Sequence, residues 1–205
     1  TVSDLSASFI QTSPTPDGRR LAISNAVLGM LIFVVCEIMF FGGLISAYLV
    51  GKAAALDKGG TWPPADQPRL PIWSTAFNTA VLLISGWFMS RTSITQHQPE
   101  GKDATQKLLA IAIGLGAFFV LFQGYEWMRL IDFGLTIQSS TYGSFFYIIV
   151  GAHALHVIMA LGVLFYVHTL LKQGRLTDGA LGAARIFWYF VVGLWPVLYV
   201  TVYLL

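Results

Sequence analysis

The sequence is short of charge, of cysteine and of histidine. Only 11% of its 205 residues are Asp, Glu, Lys or Arg, against about one quarter in soluble domains. That shortfall argues against a globule surrounded by water. A net charge of +2 gives no concentrated basic face, so nucleic acid is not expected as a partner. The single cysteine, Cys36, excludes an internal disulfide and a thiolate metal cluster. Within its apolar run it reads as a small buried hydrophobe. No phosphate-cradling loop, dinucleotide fingerprint or nucleophile constellation is present. The first 22 residues lack the basic-then-apolar order of a signal peptide, so the first apolar segment is expected to persist and direct insertion.

What the chain has in abundance is apolar length, with 56% of its residues hydrophobic. A run of roughly 20 apolar residues crosses about 30 Å of hydrocarbon as a helix. Five segments pass that test, at 23–50, 72–89, 108–131, 142–171 and 183–205. Helix is the form available to an open chain in lipid, because every backbone N–H and C=O must be paired internally. The fold class is therefore all-α, a polytopic bundle of five transmembrane helices over 23–205, preceded by a polar N-terminal segment, 1–22. Gly59-Gly60, Pro63-Pro64, Pro68 and Pro71 break the first connection, and 96–107 reads as a charged loop. Cations count eight on the side of the N-terminus (Arg19, Arg20, Arg91, Lys102, Lys107, Lys172, Arg175, Arg185) and four on the other (Lys52, Lys58, Arg69, Arg129). That asymmetry predicts an N-terminus in the cytoplasm and a C-terminus on the outer side. Gly42 with Ser46, and Gly43 with Ala47, form a small-residue seam on the first helix, expected to serve packing within the chain. Trp62, Trp73, Trp127 and Trp188 fall near the predicted span ends, where indoles sit at headgroup level.

The residues that violate the apolar pattern are the candidate site: Glu37 in the first span, Glu126 towards the outer end of the third, and His153 and His156 in the fourth. A charge at the midplane costs roughly 2.5–3.5 kcal/mol on insertion scales, so such groups are neutral, paired or cavity-facing. Glu37 reads either as a proton, ion or lipid site or as a neutral acid that locks two helices. His153 and His156 are i and i+3 and share a helix face. With a carboxylate they could hold a metal. The ligand set is too small for a di-iron site, however, and two neighbours on one helix cannot straddle a haem, so two hydrogen-bonded histidines are expected. Depth pairs the groups: at 1.5 Å per residue, Glu37 lies about 20 Å and His156 about 24 Å from the inner ends of their helices, with His153 about 28 Å from its own. Glu37 is therefore expected to meet His156. Glu126, with Gln123, is expected to face a partner helix or a lipid headgroup.

Several segments together resemble subunit III of the haem-copper oxidases. The stretch Cys36-Glu37-Ile38-Met39-Phe40-Phe41-Gly42-Gly43, leading to Ala47-Tyr48, resembles that family's "S-E-x-x-F-F-x-G … A-Y". Thr61-Trp62-Pro63-Pro64, then Pro71 and Asn78 to Gly86, resembles its first long loop and following helix. Gln123-Gly124-Tyr125-Glu126-Trp127 resembles "Q-x-x-E-Y/W". Tyr142-Gly143-Ser144-Phe145-Phe146 with Gly151-Ala152-His153-Ala154-Leu155-His156-Val157 resembles "Y-G-S-x-F-F … G-x-H-G-L-H-V". The last span departs from the pattern, carrying Tyr189 where relatives have His and Val192 where they have Asp.

The resemblance implies the five-helix bacterial form of a cytochrome c oxidase (or quinol oxidase) subunit III in a plasma membrane. Such a chain is a non-catalytic part of a respiratory complex that reduces oxygen and pumps protons. It implies no redox centre in this chain, with haem and copper in partner subunits. It also implies packing on subunit I beside subunit II, bound phospholipid, and support of sustained turnover and proton uptake. Glu37 would be the family's intramembrane carboxylate, and Glu37, Trp62 and Glu126 are candidate lipid contacts. An accessory subunit of a nitric oxide reductase and a small independent proton or ion transporter remain as alternatives.

Overall fold

The computed structural model describes residues 24–65, 67–96 and 101–205. The segment 1–22 with Arg19 and Arg20, and His97 in the second connection, lie outside the described residues. Five long helices follow one another: α1 (Asn25–Asp57), α2 (Ile72–Thr95), α3 (Gly101–Asp132), α4 (Thr141–Lys172) and α5 (Asp178–Leu198), the last continued by a π-helical turn, Tyr199–Leu204. All five are long and apolar enough to cross a membrane, and the chain is a multi-pass bundle as the sequence predicts.

Local chemistry sets the ends. Ser24, Ser140 and Thr177 each cap a helix by accepting from the backbone N–H three residues on, at 3.3, 3.0 and 3.3 Å, which satisfies donors the first turn cannot pair. Pro71 opens α2, where its missing N–H costs nothing. Gly134 and Gly174, at φ 91° and 69°, end α3 and α4 in a left-handed conformation that suits glycine.

The helices outrun the expected spans, α1 and α3 by the most. α1 runs on through Gly51 to Asp57, because Lys52-Ala53-Ala54-Ala55-Leu56 is a run of good helix formers. At 33 residues it is about 50 Å long and projects beyond the hydrocarbon. Likewise, the expected loop 96–107 is helical from Gly101, with Asp103 in the first turn of α3, where a carboxylate meets the positive end of the helix dipole.

The helices close a ring in which α1 meets α5, α5 meets α2, α2 meets α3, α3 meets α4 and α4 returns to α1, while α5 also packs on α4. α5 is the most enclosed, and its Trp188 and Trp195 are both fully buried. In lipid the drive for helix association is close packing rather than water exclusion, and Gly116 shows it. A Cβ there would lie 2.5 Å from the Trp188 ring and 2.9 Å from Leu161, so α3 approaches α5 over a bare backbone. Trp188 is thus a core plug, not the interfacial anchor expected of it: α5 starts at Asp178, leaving Trp188 about 15 Å inside the helix. Trp73, 88% exposed at the start of α2, is the indole that fits the interfacial role.

Candidate functional site

Of the four polar candidates the structure brings two together, and His153 and Glu126 each find other surroundings. The pair joins α1 to α4. Glu37 Oε2 lies 2.9 Å from His156 Nε2, and His156 Nδ1 lies 2.7 Å from the Ala152 carbonyl oxygen. The pairing expected from helix depth is therefore present. Its protons can be counted. A carbonyl only accepts, so Nδ1 carries a hydrogen and donates it. The contact between Nε2 and Oε2 then needs one further proton. Either the carboxylic acid donates to a neutral imidazole, or an imidazolium donates to a carboxylate. In both forms the pair has no net charge, which is what a site among apolar helices requires. Phe41, fully buried on α1, sets its ring edge-on to His156 at 5.3 Å between centroids.

His153 does not share in this, and the expectation of two hydrogen-bonded histidines is corrected. Neither ring nitrogen of His153 has a hydrogen-bond partner. The ring stacks on Trp195 instead, with centroids 5.1 Å apart and planes 23° off parallel. Helical i, i+3 spacing puts both histidines on one side of α4, and Phe41 of α1 borders both rings, but only His156 finds a polar partner on α1, in Glu37, while His153 lies flat on Trp195 of α5. Among the described residues no three of His, Cys, Asp and Glu gather in metal-binding geometry. Both ring nitrogens of His156 are engaged, by Glu37 and by the Ala152 carbonyl.

A second polar group ties α2 to α3. Glu126, 5% exposed, accepts from Ser74 through Oε1 and from Thr75 through Oε2, the latter at 3.0 Å. Thr79 Oγ1 takes the Trp195 indole N–H at 2.8 Å and donates to the Thr75 carbonyl at 2.7 Å. Gln123, like Glu126, lies on the buried side of α3. Its Oε1 accepts from Asn78 at 3.4 Å and its amide donates to Tyr203 at 3.2 Å. Sequence reading overlooked this α2 stripe. Thr75, Asn78, Thr79, Leu82, Ser85, Gly86, Met89 and Thr92 are its buried residues, and their three- and four-residue spacing is the signal that would have found it.

Three further residues are placed by the structure. Trp62 folds over the end of the bundle where α1 stops. Its N–H donates to the Tyr48 hydroxyl at 3.0 Å and its ring meets Tyr142 edge-on, beside a cavity of about 520 Å³. Cys36 is exposed, not buried. Gly42 and Gly43 have open space where a Cβ would project, so the small-residue seam does not pack within this chain. It borders a groove of about 540 Å³ between α1 and α5 that includes Phe41, Ile45, Tyr189 and Gly193. Of the 33 residues of α1, only Phe41 and Tyr48 are buried. Val192, at the second departure, packs on Gly86 of α2, whose added Cβ would meet it at 3.0 Å; an apolar side chain holds two backbones together there.

A family model described as cytochrome c oxidase subunit III matches residues 18–205. The chain is 33% identical over 179 residues to a probable cytochrome c oxidase subunit 3 of Nocardia farcinica, covering 86% of each chain. It is 32% identical over 181 residues to cytochrome c oxidase subunit 3 of Corynebacterium diphtheriae, again covering 86% of each. Against the same-named protein of Oryctolagus cuniculus it is 36% identical over 183 residues, covering 85% of this chain and 67% of that one.

Proposed function

The chain belongs to the cytochrome c oxidase subunit III family, and on that premise we propose that it is the non-catalytic third subunit of a haem-copper terminal oxidase. In this reading it docks on subunit I, beside subunit II. The haems and copper that reduce oxygen sit in those partners, and this chain supports sustained turnover and proton uptake. The observation that carries the docking is the unoccupied flank of α1. A helix with two buried residues in 33, an open Gly42-Gly43 surface and an apolar groove beside it offers close backbone approach to another transmembrane helix. Glu37, 17% exposed in its side chain, lies at the edge of this flank, so the Glu37–His156 pair becomes a neutral polar spot next to the partner.

The same reading places the chain in a bacterial plasma membrane. Arg91, Lys102, Lys107, Lys172, Arg175 and Arg185 gather at the end of the bundle where α1 begins, which supports an inner N-terminus. Phospholipid covers the remaining exposed faces, with Trp62 and Glu126 as contacts. Purification of the tagged full chain from native membranes in mild detergent tests the proposal. A haem spectrum and a haem-bearing chain at fixed stoichiometry are expected. A haem-free homo-oligomer that moves protons or ions would instead identify a transporter, and copurification of a nitric oxide reductase would reassign the complex.

A further inference from the structure

At the end of the bundle where α1 stops, a cavity of about 520 Å³ opens between the first connection, the start of α4 and the π-helical turn after α5. That size holds a ligand of one organic molecule or a short peptide segment. Its walls carry hydrogen-bond donors in excess. Tyr48 and Tyr142, 1% and 2% exposed, both line it. The Tyr48 hydroxyl already accepts from the Trp62 indole at 3.0 Å, so what it has left to give is its hydrogen. Among the described residues no hydrogen bond uses the Tyr142 hydroxyl. Gln67 accepts from Ser139 through Oε1 at 3.1 Å, which leaves its amide N–H groups. The Arg69 guanidinium, a donor only, stands exposed on the rim. Pro63, Pro64, Leu70 and Val202 make the rest of the wall apolar.

Two phenols, an amide and a guanidinium thus face one space, and one of the four is a cation. Such a lining calls for an acceptor-rich anion on an apolar body. A carboxylate fits. It donates nothing, has about four acceptor positions, and forms its strongest hydrogen bonds with a guanidinium. An ammonium would bring three more donors and a charge like that of Arg69. We propose that this cavity seats an aspartate or glutamate side chain, carried on a short peptide segment of the chain that docks along α1. The inference rests on that docking and adds a polar contact to it. Position favours a peptide over a free acid. Tyr48 belongs to α1, the helix with the unoccupied flank. Lys52 of α1 donates to the Leu205 carbonyl oxygen, and Leu205 lies in the cavity wall. A chain lying on α1 therefore reaches the cavity with the loop that follows its own helix. The carboxylate enters between Arg69 and the phenols, and its neighbours pack on Pro63 and Pro64. That contact fixes the depth and rotation of the partner helix, which packing over small residues alone defines less sharply.

The test keeps the full chain in the complex with which it copurifies. Arg69→Lys retains the charge and supplies an amine that a carbodiimide couples to a carboxylate in contact with it, whereas the wild-type guanidinium does not couple. Peptide mass spectrometry should then show an amide bond from position 69 to an Asp or Glu of another chain. Adding Tyr142→Phe, which keeps the ring and removes the hydroxyl, should lower the yield several-fold while other links between the chains stay unchanged. Coupling confined to carboxylates of this chain, or no coupling in an assembled complex, overturns the proposal. A yield unmoved by Tyr142→Phe does so too, because the amine would then be reacting outside the cavity. An adduct of a small acid at position 69 would make the occupant a free metabolite and equally overturns it. The same holds for a phospholipid that native mass spectrometry finds retained in the wild type and lost in Arg69→Gln. The haem spectrum of the same sample keeps the two ideas apart. A haem-bearing complex without the coupling sinks this inference alone, and a haem-free complex with it sinks the proposed function alone.

Discussion

Replacing Glu37 by Gln should be mild, while replacing it by Leu should not, although both remove the carboxylate. The reason is the proton count at the Glu37–His156 pair. Nδ1 of His156 is committed to the Ala152 carbonyl at 2.7 Å, so Nε2 of the neutral ring is an acceptor facing residue 37 at 2.9 Å. A Gln amide supplies the N–H this acceptor needs. A Leu supplies nothing and leaves a ring nitrogen orphaned in a side chain only 10% exposed. An unsatisfied buried polar atom costs about 1–3 kcal/mol, whereas interhelical hydrogen bonds in membrane proteins average about 0.6 and reach about 1.7 kcal/mol in double-mutant cycles. We therefore expect Glu37→Leu to destabilise by about 1.5–2.5 kcal/mol and Glu37→Gln by less than about 0.7. The cycle of Glu37→Leu with His156→Phe should give a coupling of about 1 kcal/mol, with the double variant more stable than the sum of the singles implies. Reversible unfolding of the full chain in mixed micelles, followed by tryptophan fluorescence, provides the measurement. Equal losses for Gln and Leu would refute the proton count, and a coupling near zero would refute the pair as a structural tie.

Gly116→Ala drives a methyl towards the Trp188 ring 2.5 Å away and should cost about 1–3 kcal/mol by overpacking, with a lower midpoint in the same unfolding assay; a neutral result would mean that α3 and α5 separate easily. Thr79→Val removes the acceptor of the buried Trp195 indole and should cost about 1–3 kcal/mol, visible as a shift in Trp emission as well as in stability. Cys36, exposed on α1, should react with a lipid-soluble maleimide in the isolated chain, and protection on assembly would mark that face as covered. In a Cys36→Ala background, a cysteine at Gln173 should be labelled only from the cytoplasmic side; labelling of intact cells by an impermeant reagent would invert the topology.

The fold was legible because in lipid the backbone rule leaves little choice: five long apolar runs must be helices. Run length set the number of spans, but not their ends. Ala53-Ala54-Ala55 and 102–107 are polar or neutral enough to read as loop, yet both stretches are helical, as the helix propensity of Ala and Lys allows. The Glu37–His156 pair was legible from depth, since two polar residues at one level in a bundle have a strong reason to meet. His153 was misjudged because helical spacing gives a side of α4 and not the neighbour on that side; α5 fills the space with Trp195. Cys36 and the Gly42-Gly43 seam were misjudged for the opposite reason. Apolar composition predicts removal from water, and in a membrane chain that is met equally by lipid or a partner, so hydrophobicity says little about which face turns inward. The α2 stripe went unread because Thr, Ser and Asn at helical spacing carry no charge, although Glu126 depends on it.

Docking through α1 is measured most directly by a site-specific photocrosslink. A benzophenone side chain replacing Met39, 73% exposed on α1, should capture the haem-bearing chain when native membranes are irradiated, while the same probe replacing Leu121 on α3, 75% exposed, should capture lipid alone. Capture of a second copy of this chain at Met39, or of the haem-bearing chain only at Leu121, would contradict docking through α1.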